Sequence, residues 1–190
     1  MSQQVVFTLQ HTVTYMSFST ESIVALSAGL LVARLVLGLA MAAHGAQKLF
    51  GWFGGHGVAG TAGFFEMLGF RPGRLFAVGA ALGEIVSGLL VAAGLLGPIG
   101  PALMVSVMLV AMLSVHWKQG FFAMSNGIEV GLLYATGALA LAFTGFGAFS
   151  LDALLGLDGF AALPIALASV AVAVLGAVGA LVTRRPAAAA

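Results

Sequence analysis

Residues 23–43 read IVALSAGLLVARLVLGLAMAA, and this stretch decides the class of fold. Its 21 residues include one ionisable side chain, Arg34. A transmembrane helix needs about 20 mostly apolar residues to cross roughly 30 Å of hydrocarbon. The stretch also lacks the alternation of apolar and polar residues that a strand of a membrane barrel shows. It therefore predicts a membrane-spanning helix.

The composition of the whole chain supports the same class. Of 190 residues, 61% are hydrophobic and 7% are charged, whereas a soluble domain carries roughly 25% charged residues. The net charge of +1 argues against a nucleic-acid partner. Cysteine is absent, which excludes disulfides, thiolate zinc sites, iron–sulfur ligation and cysteine nucleophiles. The chain is predicted to be a polytopic membrane protein whose main partner is the lipid bilayer.

Four further stretches have the length and composition of a span. The five predicted spans cover residues 22–50, 75–96, 99–117, 128–146 and 164–182. They predict an all-α membrane helical bundle. The connection 50–70 is rich in phenylalanine and glycine, which indicates a short interfacial or re-entrant helix. It is a candidate lid over the polar groups nearby, and a plain interfacial anchor is the alternative.

The basic residues indicate an orientation. With five crossings, six of them fall on one side: Lys48, Arg71, Arg74, Lys118, Arg184 and Arg185. The other side receives Asp152 and Asp158 and no lysine or arginine. The positive-inside rule then predicts a multi-pass protein of the cell (inner or plasma) membrane, with its N-terminus outside and its C-terminus in the cytoplasm. Residues 1–22 are predicted to be a polar tail, and residues 186–190 an alanine-rich tail.

Two ionisable residues are predicted to meet inside the membrane. Arg34 lies 12 residues after the start of the first span and Glu84 nine residues after the start of the second. With about 1.5 Å of rise per residue, both are expected near mid-membrane. An Arg34–Glu84 ion pair would compensate two charges that hydrocarbon penalises, and its role is expected to be structural.

A second polar group is predicted at the inner ends of the spans. Its members are His44, Lys48, His116, Asn126, Glu129 and Tyr134. Histidine exchanges protons near neutral pH, and Glu129 is a suitable partner. We expect His44, His116 and Glu129 to make proton or quinone contacts, with Lys48, Asn126 and Tyr134 as further binding groups.

Two other interpretations of the histidines remain open. Two histidines on different helices can ligate haem iron, but no pattern in the sequence marks a porphyrin slot, and no metal site is predicted. The histidines can also be structural, bonded to loop carbonyls. The fifth span carries small residues at helical spacing, Ser169, Ala173, Gly176 and Ala180. These indicate a packing helix or an interface between copies of the chain.

Five ordered motifs together resemble DoxX-like membrane proteins over about residues 30–157. They are ARLVLG (33–38) with HGAQKLFG (44–51), FFEMLG (64–69), GEIVSGLL (83–90), GFF and SNG within 116–129, and TGFG with SLD within 144–152. The resemblance implies a four-helix membrane domain over residues 23–157. The span within residues 158–185 is then an additional fifth helix.

The resemblance also implies a function. Relatives include the membrane subunit of a thiosulfate:quinone oxidoreductase, so a quinone is the implied ligand and other membrane redox subunits are the implied partners. The positions that it favours are Arg34, His44, Lys48, Glu84, His116, Asn126, Glu129 and Asp152. The chain is accordingly expected to be a small subunit of a quinone-linked redox complex. A non-catalytic assembly or anchoring subunit is the alternative. A solute carrier is disfavoured, because inverted repeats and interrupted spans are not seen.

Overall fold

A computed structural model describes residues 19–185, and within this range the chain forms helices, turns and no strands. The seven α-helices are α1 (Thr20–Phe50), α2 (Gly57–Met67), α3 (Gly73–Ala93), α4 (Ile99–Ala111), α5 (Glu129–Thr144), α6 (Leu151–Leu155) and α7 (Leu163–Val182). Residues 1–18 of the predicted N-terminal tail and the predicted tail 186–190 lie outside the described residues.

Four of the helices within residues 19–185 are long and apolar enough to cross a membrane. They are α1, α3, α7 and a continuous helical segment Ile99–Gln119, in which α4 passes through a π-helical turn at Met112–His116. The prediction of an all-α membrane bundle is therefore confirmed. The fourth predicted span corresponds to α5, which has 16 residues and so rises about 24 Å. It ends at Gly145, whose φ of +72° leaves the helical region.

The closest helix pair is α1 and α3, which run antiparallel with their backbones in contact. A Cβ atom on Gly38 would lie 2.5 Å from both the Gly88 carbonyl oxygen and the Ala92 nitrogen. A Cβ on Gly88 would lie 2.5 Å from the Gly38 carbonyl oxygen, and one on Gly45 would lie 2.6 Å from that of Ala81. Such small residues allow membrane helices to approach closely. These contacts determine which residues of α1 and α3 lie at the same level.

The remaining helices complete the bundle around α4, which packs against α3, α5 and α7. Unbranched Met41, Met104, Met108 and Met112 fill the buried space between α1, α4 and α5. Methionine suits irregular gaps because its side chain is flexible and polarisable. One end of the bundle carries Lys118 and is called the Lys118 end; the opposite end carries Asp152 and is called the Asp152 end.

The predicted Arg34–Glu84 ion pair is wrong. The Arg34 guanidinium donates to the carbonyl oxygens of Ala92, at 2.8 Å, and Phe149. Glu84 instead accepts from Lys48. The first two spans do not end at the same levels, because the glycine contacts hold α1 and α3 in a register in which α1 extends well beyond the end of α3. Arg34 therefore lies beside Gly94, ten residues and about 15 Å along α3 from Glu84.

Asp152 closes the turn between α3 and α4. Its carboxylate accepts from the backbone N–H groups of Leu96 at 2.8 Å and Gly97 at 2.7 Å. Leu96 has φ +62°, a conformation that residues with a branched or bulky side chain rarely adopt. The buried carboxylate thus stabilises a strained turn, which gives Asp152 a structural role at this end.

The helix contact generates a stability prediction. We expect Gly38→Ala to lower the free energy of unfolding by about 2 kcal/mol, because its methyl group overlaps the α3 backbone. Thermal unfolding in detergent, followed by circular dichroism, measures the loss. Gly29→Ala is the matched control on α1, since a Cβ there meets nothing within 4 Å, and alanine gains up to about 1 kcal/mol of helix propensity. Equal losses in the two variants would contradict the predicted contact.

Candidate functional site

A cavity of 780 Å³ lies at the Lys118 end, between α2, α3, α4 and α7. Phe65, Phe70 and Phe76 form a continuous aromatic wall, with ring centroids 5.5 and 5.1 Å apart. Polar groups from the surrounding elements also reach the lining: Gln47, Lys48, Glu84, Ser114, His116 and Asn126. A mostly apolar cavity with a few convergent polar groups is typical of a small-molecule site.

Lys48 and Glu84 form an ion pair in the wall of this cavity. The Lys48 ammonium lies 2.7 Å from both carboxylate oxygens of Glu84. The Glu84 side chain is 4% exposed and that of Lys48 is 30% exposed. Lys48 stands in the last turn of α1, where the negative end of the helix dipole favours a cation. Because Glu84 is buried, it depends on this lysine for compensation.

His44 and Tyr134 lie near the ion pair but outside the lining of the cavity. Their rings meet edge to face with centroids 5.9 Å apart. His44 Nδ1 is 3.2 Å from the Gln47 side-chain oxygen. The structure thus brings the two predicted residues together, on the side of the pair that faces α5.

His116 reaches the cavity from the π-helical turn at the end of α4. Its Nδ1 is 2.7 Å from the backbone oxygen of Asn126. A carbonyl oxygen only accepts, so Nδ1 carries a proton, and Nε2 of the neutral ring is left as an acceptor. The π-helical turn changes the direction in which the following side chains project, and such turns are frequent at functional sites.

Glu129 holds the loop that carries Asn126. Its Oε2 accepts from the backbone N–H of Ala123 at 2.7 Å, and Ser125 Oγ donates to the Gln119 oxygen at 3.1 Å. Asn126 itself has φ +62° and lines the cavity. Glu129 is absent from the lining. Its observed contact is therefore with the loop backbone.

The connection between α1 and α3 forms one wall of the cavity. The Gln47 side chain donates to the Phe53 oxygen at 3.2 Å, and Thr61 Oγ1 donates to the Lys48 oxygen at 3.4 Å. Gly55 is packed so closely on the backbone of Gln47 that a Cβ atom would overlap it. These contacts seat α2 over the end of α1, with its phenylalanines toward the cavity.

The fifth predicted span, α7, supplies another wall. Ala173 and Ala177 are buried in the bundle, whereas Gly176 and Ala180 line the cavity. Beyond its end, Arg184 Nε donates to the Leu68 oxygen at 2.8 Å, and the guanidinium lies 5.5 Å from the centroid of the Phe70 ring. Of the predicted small-residue stripe, Ala173 thus packs within the chain, whereas Gly176 and Ala180 face the cavity.

Sequence reasoning missed several lining residues. Ser114 was hidden in an apolar span, where a hydroxyl bonded to the preceding turn is common, and its Oγ does donate to Val110 at 2.6 Å. Gln47 could have been predicted as a lining residue, because it is polar and directly precedes Lys48 at the end of the first span. Nothing in the sequence indicates that Phe70 and Phe76 share a wall with Gly176. Within residues 19–185, no group of three or more His, Asp or Glu side chains could hold a metal ion.

The ion pair generates a second stability prediction. We expect Lys48→Met to lower the free energy of unfolding by about 3 kcal/mol, because it leaves the buried Glu84 carboxylate uncompensated. The double variant Lys48→Met/Glu84→Leu should recover most of this loss, since no unpaired charge remains. Thermal unfolding in detergent measures both. Lys118→Met, at an exposed lysine, should leave stability unchanged. A double variant no more stable than Lys48→Met would contradict the prediction.

Comparison with known proteins agrees with this architecture. Residues 29–117 match the family model DoxX. No curated protein and no solved structure matches the chain. The matched range contains Lys48, Glu84 and His116, whereas Asn126 and Glu129 lie after it. The chain is therefore similar to the DoxX family over residues 29–117, and its long apolar helices are those of a small helical membrane protein.

Proposed function

We propose that this protein is a small membrane subunit of a quinone-linked redox system and that the cavity binds the quinone ring. The observation that carries the proposal is the Lys48–Glu84 pair in the wall of a 780 Å³ aromatic cavity. Charged groups within apolar membrane helices are rare and commonly mark functional sites. A quinone ring matches such a cavity, because it has a flat apolar face and two polar oxygens.

The lining offers partners for both redox forms of the ring. Lys48 and the side-chain amide of Asn126 are hydrogen-bond donors, which suit a quinone oxygen. His116 Nε2 is an acceptor in the neutral ring and a donor in the cation, so it suits a hydroquinone hydroxyl or a quinone oxygen. The phenylalanines exclude water and contact the ring face. In this proposal His116 binds the ring and exchanges a proton at Nε2.

The remaining predicted residues have supporting roles in the proposal. Glu129 positions the loop that presents Asn126. His44 and Tyr134 contact each other outside the cavity lining, so the proposal gives them no direct contact with the quinone. These groups carry protons and hydrogen bonds rather than electrons, so the proposal includes a partner redox subunit that exchanges electrons with the quinone.

An assembly or anchoring role is the second candidate. It is supported by the loop after α4, on which Met124 is 96% exposed and is flanked by exposed Phe121 and Phe122. The loop is held by Glu129 and Ser125 and so presents these side chains in a defined arrangement.

We propose further that the Lys118 end faces the cytoplasm. In support, the basic residues Lys48, Arg74, Lys118 and Arg184 lie at or near this end, and Asp152 and Asp158 lie at the other. The positive-inside rule relates such asymmetry to orientation.

Quinone binding tests the first proposal. The purified protein in lipid nanodiscs is titrated with a benzoquinone that carries a single prenyl unit. We expect His116→Ala and Ser114→Phe each to weaken binding at least tenfold, about 1.4 kcal/mol, because the first removes a contact and the second fills the cavity. Leu113→Phe is the matched control, since the neighbouring Leu113 is exposed and outside the lining.

Two results would count against the cavity as the binding site. Unchanged affinity in both His116→Ala and Ser114→Phe would place the quinone elsewhere. A wild-type protein that binds no quinone would leave the assembly role as the supported candidate.

Orientation can be tested directly because the chain contains no cysteine. We expect Gln119→Cys to be protected from a membrane-impermeant maleimide in intact cells and labelled after permeabilisation. Asp158→Cys should be labelled in intact cells. Both positions are exposed and lie at opposite ends of the bundle. The reverse pattern would overturn the proposed orientation.

A further inference from the structure

The cavity extends sideways between α3 and α7. These two helices both pack against α4 and make almost no contact with each other. Gly79 of α3 and Gly176 of α7 line the cavity on either side, and Ser106 and Val107 of α4 lie behind them. The gap between the two helices is therefore part of the cavity, and it is called the lateral opening.

The lateral opening lies on the flank of the bundle, within the apolar helices. Leu75 is 66% exposed although it lines the cavity, and Gly79 and Gly176 are also exposed. Gly79 lies six residues after the start of α3, and Gly176 lies six residues before the end of α7. Both are thus about 9 Å from the Lys118 end of their helices. In a bilayer this level is occupied by acyl chains rather than by water.

Two features define the limits of the lateral opening. Glycine leaves space at its rim: a Cβ on Gly79 would meet nothing within 4 Å, and one on Gly176 would approach Ser106 Oγ at 3.8 Å. At the Lys118 end, the bonds from Arg184 Nε to the Leu68 oxygen and from the Arg185 N–H to the Gly69 oxygen, each 2.8 Å, tie α7 to the turn before α3. The end of α7 is therefore held beside α2 and α3 while the gap above it stays open.

We infer that the lateral opening admits the ligand from the bilayer and holds its apolar tail. The polar head then lies at the Lys48–Glu84 pair and His116, and the tail passes between Gly79 and Gly176 into lipid. This inference rests on the proposed function and adds a substrate class, a quinone with a long prenyl tail. Moving apolar surface from lipid to protein contributes little binding free energy. The opening therefore selects the tail by its shape, and a side chain that blocks the opening excludes the tail sterically.

The experiment fills the lateral opening by single substitutions. Gly79→Leu and Gly176→Leu place a large side chain at the rim, and the Cβ atom that each adds meets no atom of a neighbouring element closer than 3.8 Å. Gly179→Leu is the matched control on α7, because its Cβ also meets nothing within 4 Å and it does not line the cavity. All three variants gain helix propensity. Each protein in nanodiscs is titrated with two benzoquinones, one with a single prenyl unit and one with about ten, at concentrations expressed per lipid.

We expect the wild-type protein and Gly179→Leu to bind both quinones. Gly79→Leu and Gly176→Leu should lose at least tenfold in affinity for the long-tailed quinone and stay within twofold for the short-tailed one. Equal effects on both quinones, or none on either, would overturn the lateral opening while leaving the cavity as a quinone site. If the wild-type protein binds neither quinone, the proposed function itself is contradicted.

Native mass spectrometry of the same samples tests whether a phospholipid, rather than a quinone tail, occupies the lateral opening. A phospholipid retained by the wild-type protein and by Gly179→Leu, lost in Gly176→Leu and not displaced by the long-tailed quinone, would overturn the inference. The opening would then be a site for a structural lipid. Displacement of any retained phospholipid by the long-tailed quinone supports the inference.

Discussion

The backbone contact between α1 and α3 is the constraint on which the rest of the structure depends. Gly38 and Gly88 lie so close that neither position has space for a Cβ atom. A contact of this kind allows one register, because sliding either helix by a turn would bring a side chain against the opposing backbone. That register brings Lys48 to Glu84 and leaves Arg34 level with the end of α3.

The few charged groups are divided between structural and candidate functional tasks. Arg34 is 3% exposed, and its guanidinium is bonded to the carbonyl oxygens of Ala92 and Phe149, so it ties α1 to the Asp152 end. Asp152 stabilises the α3–α4 turn beside it. Lys48 and Glu84 form the one ion pair found within residues 19–185, and this pair lies in the cavity wall. The charged groups at the Asp152 end thus hold backbone, whereas the Lys48–Glu84 pair faces a space that a ligand can enter.

Two segments outside the central helices form opposite walls of the cavity. The connection with α2 closes one side of the cavity because Gln47 and Thr61 bond it to the end of α1. The other side is α7, whose small residues allow close packing on α4 while Gly176 leaves space in front of α3. The arginine contacts after α7 join these two segments at Leu68 and Phe70. The cavity therefore depends on the connection, which lies inside the matched range 29–117, and on α7, which lies after it.

The sequence by itself determined the class of the protein: an all-α membrane bundle, spans placed within a few residues, and polar groups gathered toward the ends. Hydrophobic run length and local composition carry this information, because a helix satisfies its own backbone hydrogen bonds and needs only apolar side chains to enter lipid. His116, Lys48 and Asn126 could be nominated for the same reason, since polar residues stand out in apolar helices.

Only the tertiary structure decided which of these residues meet. Counting residues from the ends of two spans predicted an Arg34–Glu84 pair, but the level of each residue depends on how far one helix slides past another. Glycine contacts such as Gly38–Gly88 set that distance, and they are not visible until both backbones are in place. The sequence likewise marked α7 as rich in small residues without showing what they contact. The structural role of each small residue depends on the element that it faces. A position without a large side chain allows a close helix contact where a neighbouring helix is near, and it leaves an open space where none is.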